Sequence, residues 1–201
     1  MKRRVLVIQL IYRASFAAGI VALVWVGAQL GYAKTYQLYM MSKLKTQRAF
    51  ANSNADSKLP PSRLRSGDLV GRLDIMDRKL SVVVLEGVED DTLGIAAGHV
   101  PGTFLPGSNG NVVIAAHRDT FFRELRNIHA GEKIQLTTPR GTFQYLVSNT
   151  EIVKPSETRV LESRGRDELT LITCYPFSFL GAAPKRFIVH ARLHAEKSGN
   201  E

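Results

Sequence analysis

An uncharged stretch of 20 residues, Ala14 to Ala33, constrains the fold of this chain more than any other feature. As an α-helix it would be about 30 Å long, the thickness of the hydrocarbon core of a bilayer. Basic residues precede it at positions 2, 3, 4 and 13, and Tyr32 and Tyr36 lie at its far end, where tyrosines favour the membrane interface. We therefore expect a basic cytoplasmic head at 1–13 and a transmembrane anchor at 14–33.

A cleaved signal peptide is the alternative, because small residues near 26–28 and 31–33 could form a cleavage site. The apolar region of a signal peptide is normally about 7–15 residues long, and this one is longer, which favours an uncleaved anchor. The first basic cluster usually sets the orientation. We expect a single-pass protein of the cell membrane, with its C-terminal domain on the extracytoplasmic side.

The net charge of +9 is concentrated at the N-terminus. Residues 1–60 contain nine basic residues and one acid, whereas the remaining 18 basic and 17 acidic residues nearly cancel. A nearly neutral folded part excludes a nucleic-acid-binding surface. With 44% hydrophobic residues the chain can form a packed core, and its single cysteine excludes an internal disulfide and cysteine-rich zinc modules.

The residues after the apolar stretch divide into a stalk with a linker (34–66), a folded domain (67–195) and a polar tail (196–201). Leu38, Met41 and Leu44 have helical spacing, so 34–49 could continue the helix, and 51–66 is rich in Asn, Ser and Pro, as linkers are. From Gly67 onward, short β-type runs predict strands at 69–75, 80–86, 111–117, 133–138, 142–153, 169–174 and 186–193. Short helices are expected at 90–97 and 120–128, the second with Asp119 as N-cap. This pattern predicts a mainly β fold, a closed barrel or a sandwich.

The single cysteine, Cys174, ends a predicted strand just before Pro176. A side chain at a strand end is held rigidly and remains accessible, as a nucleophile requires. The alternative is a small buried hydrophobic residue, which is the usual role of a lone cysteine.

His117 and Arg186 also lie at ends of predicted strands. Each has an ordinary alternative, a hydrogen-bonded histidine at the core edge or a solvated arginine. A thiol needs a neighbouring base or cation to become a good nucleophile, and an arginine can stabilise a thiolate or an oxyanion. Together the three residues are the components of an acyl-transfer site.

The chain resembles the sortases, membrane-anchored cysteine transpeptidases. Three motifs carry this resemblance, in the order Gly98–Thr103, Gly110–Asp119 and Thr170–Cys174 with Arg186 twelve residues further on. The sequence around Cys174 and Arg186 is most similar to class D sortases. Residues 34–66 do not resemble the aromatic lid of the pilin-polymerising class, which argues against pilus assembly.

The resemblance implies an eight-stranded β-barrel and three catalytic residues, Cys174, His117 and Arg186. Cys174 would attack a carbonyl in a Leu-Pro-any-Thr-Gly-like sorting signal, His117 would transfer protons, and Arg186 would hold substrate and oxyanion. Thr173 is a weaker candidate for substrate positioning. Two roles stay open: Asp119 either orients the His117 imidazole or caps a helix, and His99 either lines the site or is a structural loop histidine. Neither a metal nor another cofactor is expected.

The expected partners are the peptide sorting signal of exported surface proteins, an amine acceptor in a cell-wall peptide or protein, and the membrane. A thiol endopeptidase that uses water as the acceptor is the first alternative, because acceptor preference depends on loop shape. A membrane-tethered β-barrel that binds a ligand without catalysis, with Cys174 as a structural residue, is the second.

Overall fold

The computed structural model describes residues 2–53, 64–179 and 181–194. The chain forms two compact units, 1–36 and 37–201. Helix α1 (Lys2–Ser53) is continuous, as the sequence predicted for 34–49, and extends three residues into the predicted linker. Its segment Gln9–Ala49, with a mean hydropathy of 1.7, is long and apolar enough to cross a bilayer. Most of the predicted linker (54–63) and the predicted tail lie outside the described residues.

Within the second unit, the C-terminal part of α1 packs against the folded domain. The side-chain oxygen of Gln37 accepts a hydrogen bond from the Val83 N–H at 2.8 Å. Met40 and Leu44, which follow at helical spacing, are buried. Of the apolar residues at helical spacing in the sequence, Leu44 is buried, whereas Leu38 is 63% exposed.

Eight strands form a closed barrel in the order β1-β2-β3-β4-β7-β8-β6-β5, which confirms the predicted fold class. The pairs β2/β3 and β4/β7 are parallel, and the other neighbours are antiparallel. The strands are β1 (Leu69–Ile75), β2 (Leu80–Glu86), β3 (Ala97–His99), β4 (Asn111–Ala115), β5 (Lys133–Thr138), β6 (Gly141–Val153), β7 (Glu168–Tyr175) and β8 (Lys185–Leu193).

Alternation along the strands fills the barrel with apolar side chains. Val112 and Ile114 of β4 pack in the core with Leu169 and Leu171 of β7. Because successive residues of a strand point to opposite faces, the residues between them lie on the outer face of the barrel. This alternation decides which side chains near the strand ends point outward.

The helical segments differ from the sequence prediction. Helix α2 (Asp90–Ile95) ends before Ala97, which belongs to β3. The helix expected at 120–128 is a short 3-10 helix, Arg123–Asn127, preceded by Phe122 rather than capped by Asp119. Phe122 is fully buried and its N–H donates to the His117 carbonyl at 3.0 Å. Burying this ring in the core delays the start of the helix. Two more 3-10 helices lie at Met76–Arg78 and Thr158–Leu161.

Candidate active site

The parallel pair of β4 and β7 determines the positions of His117 and Cys174. Ala115 is paired with Ile172, and the Ala116 N–H continues this ladder to the Ile172 carbonyl at 3.2 Å. Two further steps along each strand bring His117 level with Cys174. Paired residues of adjacent strands project to the same face, so the imidazole and the thiol share a side of the sheet.

Arg186 lies at the same level as Cys174, on the strand that flanks β7 opposite to β4. It pairs directly with Cys174 across the antiparallel strands β7 and β8. Directly opposite residues have their Cβ atoms about 4.5–5.5 Å apart. The structure thus brings the three predicted site residues to one level at the ends of three adjacent strands: β4, which ends at Ala115 and not at 117 as predicted, β7 and β8.

These side chains point to the outer face of the barrel. The residues next to them in sequence, Ala116, Thr173 and Phe187, are 5%, 2% and 8% exposed and face inward. His117, Cys174 and Arg186 themselves are half-buried. Each is therefore accessible to a substrate that lies along the outside of β7.

The three side chains are not bound to one another. Cys174 is a free cysteine, and neither its sulfur nor the His117 ring forms a hydrogen bond or ion pair within the described part of the chain. Nη1 of Arg186 donates to the carbonyls of Ala183 and Lys185 at 3.3 and 3.1 Å. Its Nε and Nη2 have no such partner among the described residues, which leaves two donors for a substrate oxygen.

The Thr173 side chain lies on the opposite face of the sheet from Cys174, and its role in substrate positioning stays a prediction. Its hydroxyl donates to the Ala116 carbonyl at 2.7 Å, on the core side of the sheet. The bond joins the ends of β4 and β7 directly behind the reactive face. Thr173 thus holds His117 and Cys174 in register, and its side chain does not point toward the face that carries the thiol.

An aromatic cluster supports the strand ends from the same inner side. The Phe187 ring packs against Phe177 and Tyr175, with ring centroids 5.3 and 6.3 Å apart. Tyr175 follows Cys174 directly, and Phe187 follows Arg186. The backbone that carries thiol and guanidinium is therefore held by ring packing.

The roles of His99 and Asp119 were left open by the sequence, and neither residue belongs to the group formed by His117, Cys174 and Arg186. His99 is buried in β3, where its Nδ1 lies 2.6 Å from Oε2 of Glu86 and its Nε2 lies 3.0 Å from the Phe104 carbonyl. Asp119 is exposed, and no hydrogen bond joins it to His117 in the described segments. His99 serves to fix the loop after β3.

His190 lies on the outer face four residues beyond Arg186. Its Nε2 is 2.9 Å from Oε1 of Glu151, and Arg159 binds the same carboxylate at 2.6 Å. The Arg159 guanidinium, followed by the His190 ring, holds the pKa of Glu151 below its ordinary value, against the opposing effect of burial. Within 2–53, 64–179 and 181–194, no group of three or more His, Cys, Asp and Glu side chains is placed to hold a metal ion.

A cleft of about 470 Å³ lies beside these strand ends. Its walls include Arg118, Arg123 and Arg126 from the segment after β4, and Phe177 and Ser178 from the loop after β7. The sequence motifs did not identify these arginines as site residues. Their clustering could have done so, since three arginines fall within nine residues directly after His117.

Comparison with known proteins gives one consistent result. A family model of the sortase domain matches residues 73–194. The chain is 32% identical over 166 residues to Sortase D of Bacillus subtilis (strain 168), covering 79% of this chain and 84% of that protein. It is 29% identical over 152 residues to Sortase A of Bacillus anthracis, covering 74% of this chain and 66% of that protein.

A solved structure shows the same likeness in three dimensions. The Sortase D5 transpeptidase of Clostridium perfringens matches with a TM-score of 0.66 and 28% identity, over 76% of this chain and 94% of that one. The sortase-domain match alone spans more than half of the chain and includes His117, Cys174 and Arg186. The chain therefore belongs to the sortase family, whose members are cysteine transpeptidases.

Proposed function

We propose that this sortase cleaves a Leu-Pro-any-Thr-Gly-like sorting signal through an acyl-enzyme on Cys174 and transfers the exported protein to an amine. One observation carries the proposal. A free thiol, an imidazole and a guanidinium lie at one level on the outer face of the sheet, at the ends of β4, β7 and β8. A nucleophile, a proton carrier and an oxyanion donor are the groups that acyl transfer requires.

The first half-reaction forms a thioester. The Cys174 thiolate attacks a peptide carbonyl of the signal, and the electron pair of the C=O bond moves to oxygen, where Nε and Nη2 of Arg186 stabilise the charge. The C–N bond then breaks as His117 gives its proton to the leaving amine. This assignment uses the two guanidinium donors that the loop carbonyls leave free.

The second half-reaction releases the product. The acceptor amine attacks the thioester carbonyl, His117 takes the amine proton, and the C–S bond breaks to restore the thiolate. With water in place of the amine, the same steps give hydrolysis. The chemistry of the acceptor therefore determines whether the enzyme joins or cleaves proteins.

The N-terminal helix provides the proposed membrane anchor. Residues 14–33 span the bilayer, 34–66 form stalk and linker, and the catalytic domain 67–195 lies on the extracytoplasmic side. The support is the single apolar helix of the described residues, Gln9–Ala49. Exported proteins carrying the signal would meet the catalytic domain at the outer surface of the membrane.

Trapping the thioester tests this proposal. The full chain in detergent micelles is incubated with a Leu-Pro-any-Thr-Gly peptide, with and without an added amine, and analysed by mass spectrometry. We expect an adduct on Cys174, and an amide product when the amine is present. Cys174→Ala should lose both, because it removes the only thiol of the chain.

Two other results would count against the proposal. Cleavage that persists in Cys174→Ala would contradict the thiol mechanism. Hydrolysis at the same rate with or without the amine, and no amide product, would favour the endopeptidase alternative.

A further inference from the structure

The cleft beside the active site is lined by charges of both signs. Arg78 and Arg118 line it with Arg123 and Arg126, and Asp119 and Glu124 also belong to its wall. A surface of this kind differs from the apolar groove that an uncharged sorting signal would need. The state of each arginine shows what the cleft can bind.

Arg78 is neutralised within the protein. Its Nε and Nη2 donate to both oxygens of Glu132, at 2.7 and 2.5 Å. Hydrogen bonding to Arg78 holds the pKa of Glu132 below its ordinary value, so this carboxylate remains charged at neutral pH. Arg78 thus forms part of the wall and contributes little free charge.

The other three arginines have no acidic partner in the described part of the chain. Arg118 donates through Nη2 to the carbonyls of Phe179 and Gly181, at 2.6 and 3.0 Å, while its Nη1 is buried without any hydrogen-bond partner among the described residues. Arg123 and Arg126 are exposed and form no ion pair there. A planar guanidinium fork matches the two oxygens of a carboxylate.

The cleft lies close to the place where the acceptor amine would react. Arg118 directly follows His117, the residue that would take the proton from the incoming amine. Phe177 is three residues after Cys174, so even an extended chain separates them by at most about 11 Å. An acceptor with its amine at the thioester can place another group, a few bonds away, in this cleft.

We propose that the cleft binds the free carboxylate of the acceptor, and that the preferred acceptor is an amino acid or short peptide with a carboxylate a few bonds from its nucleophilic amine. The proposal rests on the function proposed above. Asp119 and Glu124 favour a singly charged carboxylate over a phosphate dianion, because like charges repel at close range. They also provide a place for a second ammonium group.

Two matched acceptors test this proposal. Nα-acetyl-lysine and Nα-acetyl-lysine amide have the same ε-amine and differ in one carboxylate. The full chain in detergent micelles receives the donor peptide with one of them, and the ratio of amide product to hydrolysis product is measured. Because the ratio is taken per thioester consumed, changes in the first half-reaction cancel.

We expect the carboxylate acceptor to give a ratio at least tenfold higher than the amide acceptor. In Arg123→Gln/Arg126→Gln the preference should fall to about twofold or less. Arg118 is kept in this variant because its bonds to Phe179 and Gly181 hold the loop after β7.

Arg140→Gln is the matched control and should keep the preference. Arg140 is exposed in the turn before β6, and the register of β6 with β8 places it at the opposite end of the barrel from Arg186. Equal use of both acceptors by the wild type would overturn the proposal, as would an unchanged preference in the double variant. Product formation with both amines distinguishes this failure from that of the proposed function, in which no thioester would form at all.

Discussion

Cys174 and Arg186 face each other across the antiparallel pair of β7 and β8, one pair away from the loop that joins these strands. The strand ladder fixes their spacing, and the loop carbonyls of Ala183 and Lys185 orient the guanidinium through a single nitrogen, Nη1. Two guanidinium donors therefore remain beside any group attached to the sulfur. Directed hydrogen bonding, in addition to charge, becomes available to the substrate.

Arg186→Lys tests whether these directed donors matter. Lysine keeps the positive charge and loses the planar fork, so a role through charge alone would survive the change. We expect turnover to fall by about 10²–10³, the range for loss of an oxyanion donor. Turnover is measured with the donor peptide and an amine, and the alkylation rate of Cys174 should change little.

His117→Ala is the comparison for this variant. It removes the proton carrier, so formation of the thioester itself should slow. Near-normal turnover in Arg186→Lys would exclude the role as a directed donor and leave either an effect of charge alone or a solvated strand end, the alternative left by its sequence.

Thr173→Val removes the hydroxyl that joins β7 to β4 and leaves the shape of the side chain nearly unchanged. The Ala116 carbonyl then loses its donor in a buried position, which costs about 1–3 kcal/mol of the free energy of unfolding. Thr173→Ser keeps the hydroxyl and should retain most of this stability. Urea denaturation of the full chain in detergent measures both variants.

The opposite pattern would support the role implied by the resemblance. If Thr173→Val were as stable as wild type and raised KM for the donor peptide, Thr173 would contact the substrate.

The predicted barrel depended on short β-type runs bounded by turn residues, which are a local property of the sequence. This pattern placed seven strands within about two residues of their observed bounds. The missing strand, β3, has three residues with Gly98 at its centre, and glycine is unfavourable in strands. A Cβ on Gly98 would lie 2.1 Å from the Gly87 carbonyl. This glycine is therefore required by a contact with another segment of the chain, which a local pattern of residues cannot show.

The site, like the fold, depends partly on local sequence pattern and partly on tertiary contacts. That His117, Cys174 and Arg186 stand at strand ends could be predicted from local pattern, and the resemblance supplied their roles. Their common level depends on the parallel pairing of β4 with β7, two strands more than 50 residues apart in sequence. The hydrogen bond from Thr173 to the Ala116 carbonyl and the cleft beside His117 likewise arise from tertiary contacts.

The proposed orientation of the anchor predicts where the C-terminus lies. A reporter that is active only in the cytosol, fused after Glu201, should be silent in cells, because the first basic cluster favours an inside N-terminus. A reporter that is active only outside the cytosol should give signal at the same position. Strong cytosolic activity would reverse the orientation, and release of the domain into the medium would favour a cleaved signal peptide.

The ion pair between Arg78 and Glu132 predicts a pH-dependent stability of the cleft wall. Hydrogen bonding to Arg78 is the main cause of the lowered pKa of Glu132, whose side chain is 6% exposed. A lowered pKa contributes stability above the unfolded value, about 4.3, and this contribution is lost as the pH falls through the folded value. The pair should thus stabilise the protein at neutral pH and cease to do so in acid.

Glu132→Gln measures this contribution. At pH 7 the variant should lose about 1–3 kcal/mol of the free energy of unfolding, because a half-buried guanidinium loses its charged partner. The difference from wild type should begin to shrink as the pH falls below about 4.3, where the unfolded carboxyl takes up its proton, and should vanish only below the lowered folded pKa of Glu132. His129, whose Nε2 lies 3.4 Å from Oε1 of Glu132, also faces this carboxylate.

Urea is the suitable denaturant for this measurement, since guanidinium chloride would screen the ion pair. Glu162→Gln is the matched control, because its carboxylate is exposed and forms no ion pair within the described residues. It should show a small and nearly constant difference from wild type over the same pH range. A stability gap in Glu132→Gln that stays constant from pH 7 to pH 3 would contradict the electrostatic account and assign the loss to packing of the altered side chain.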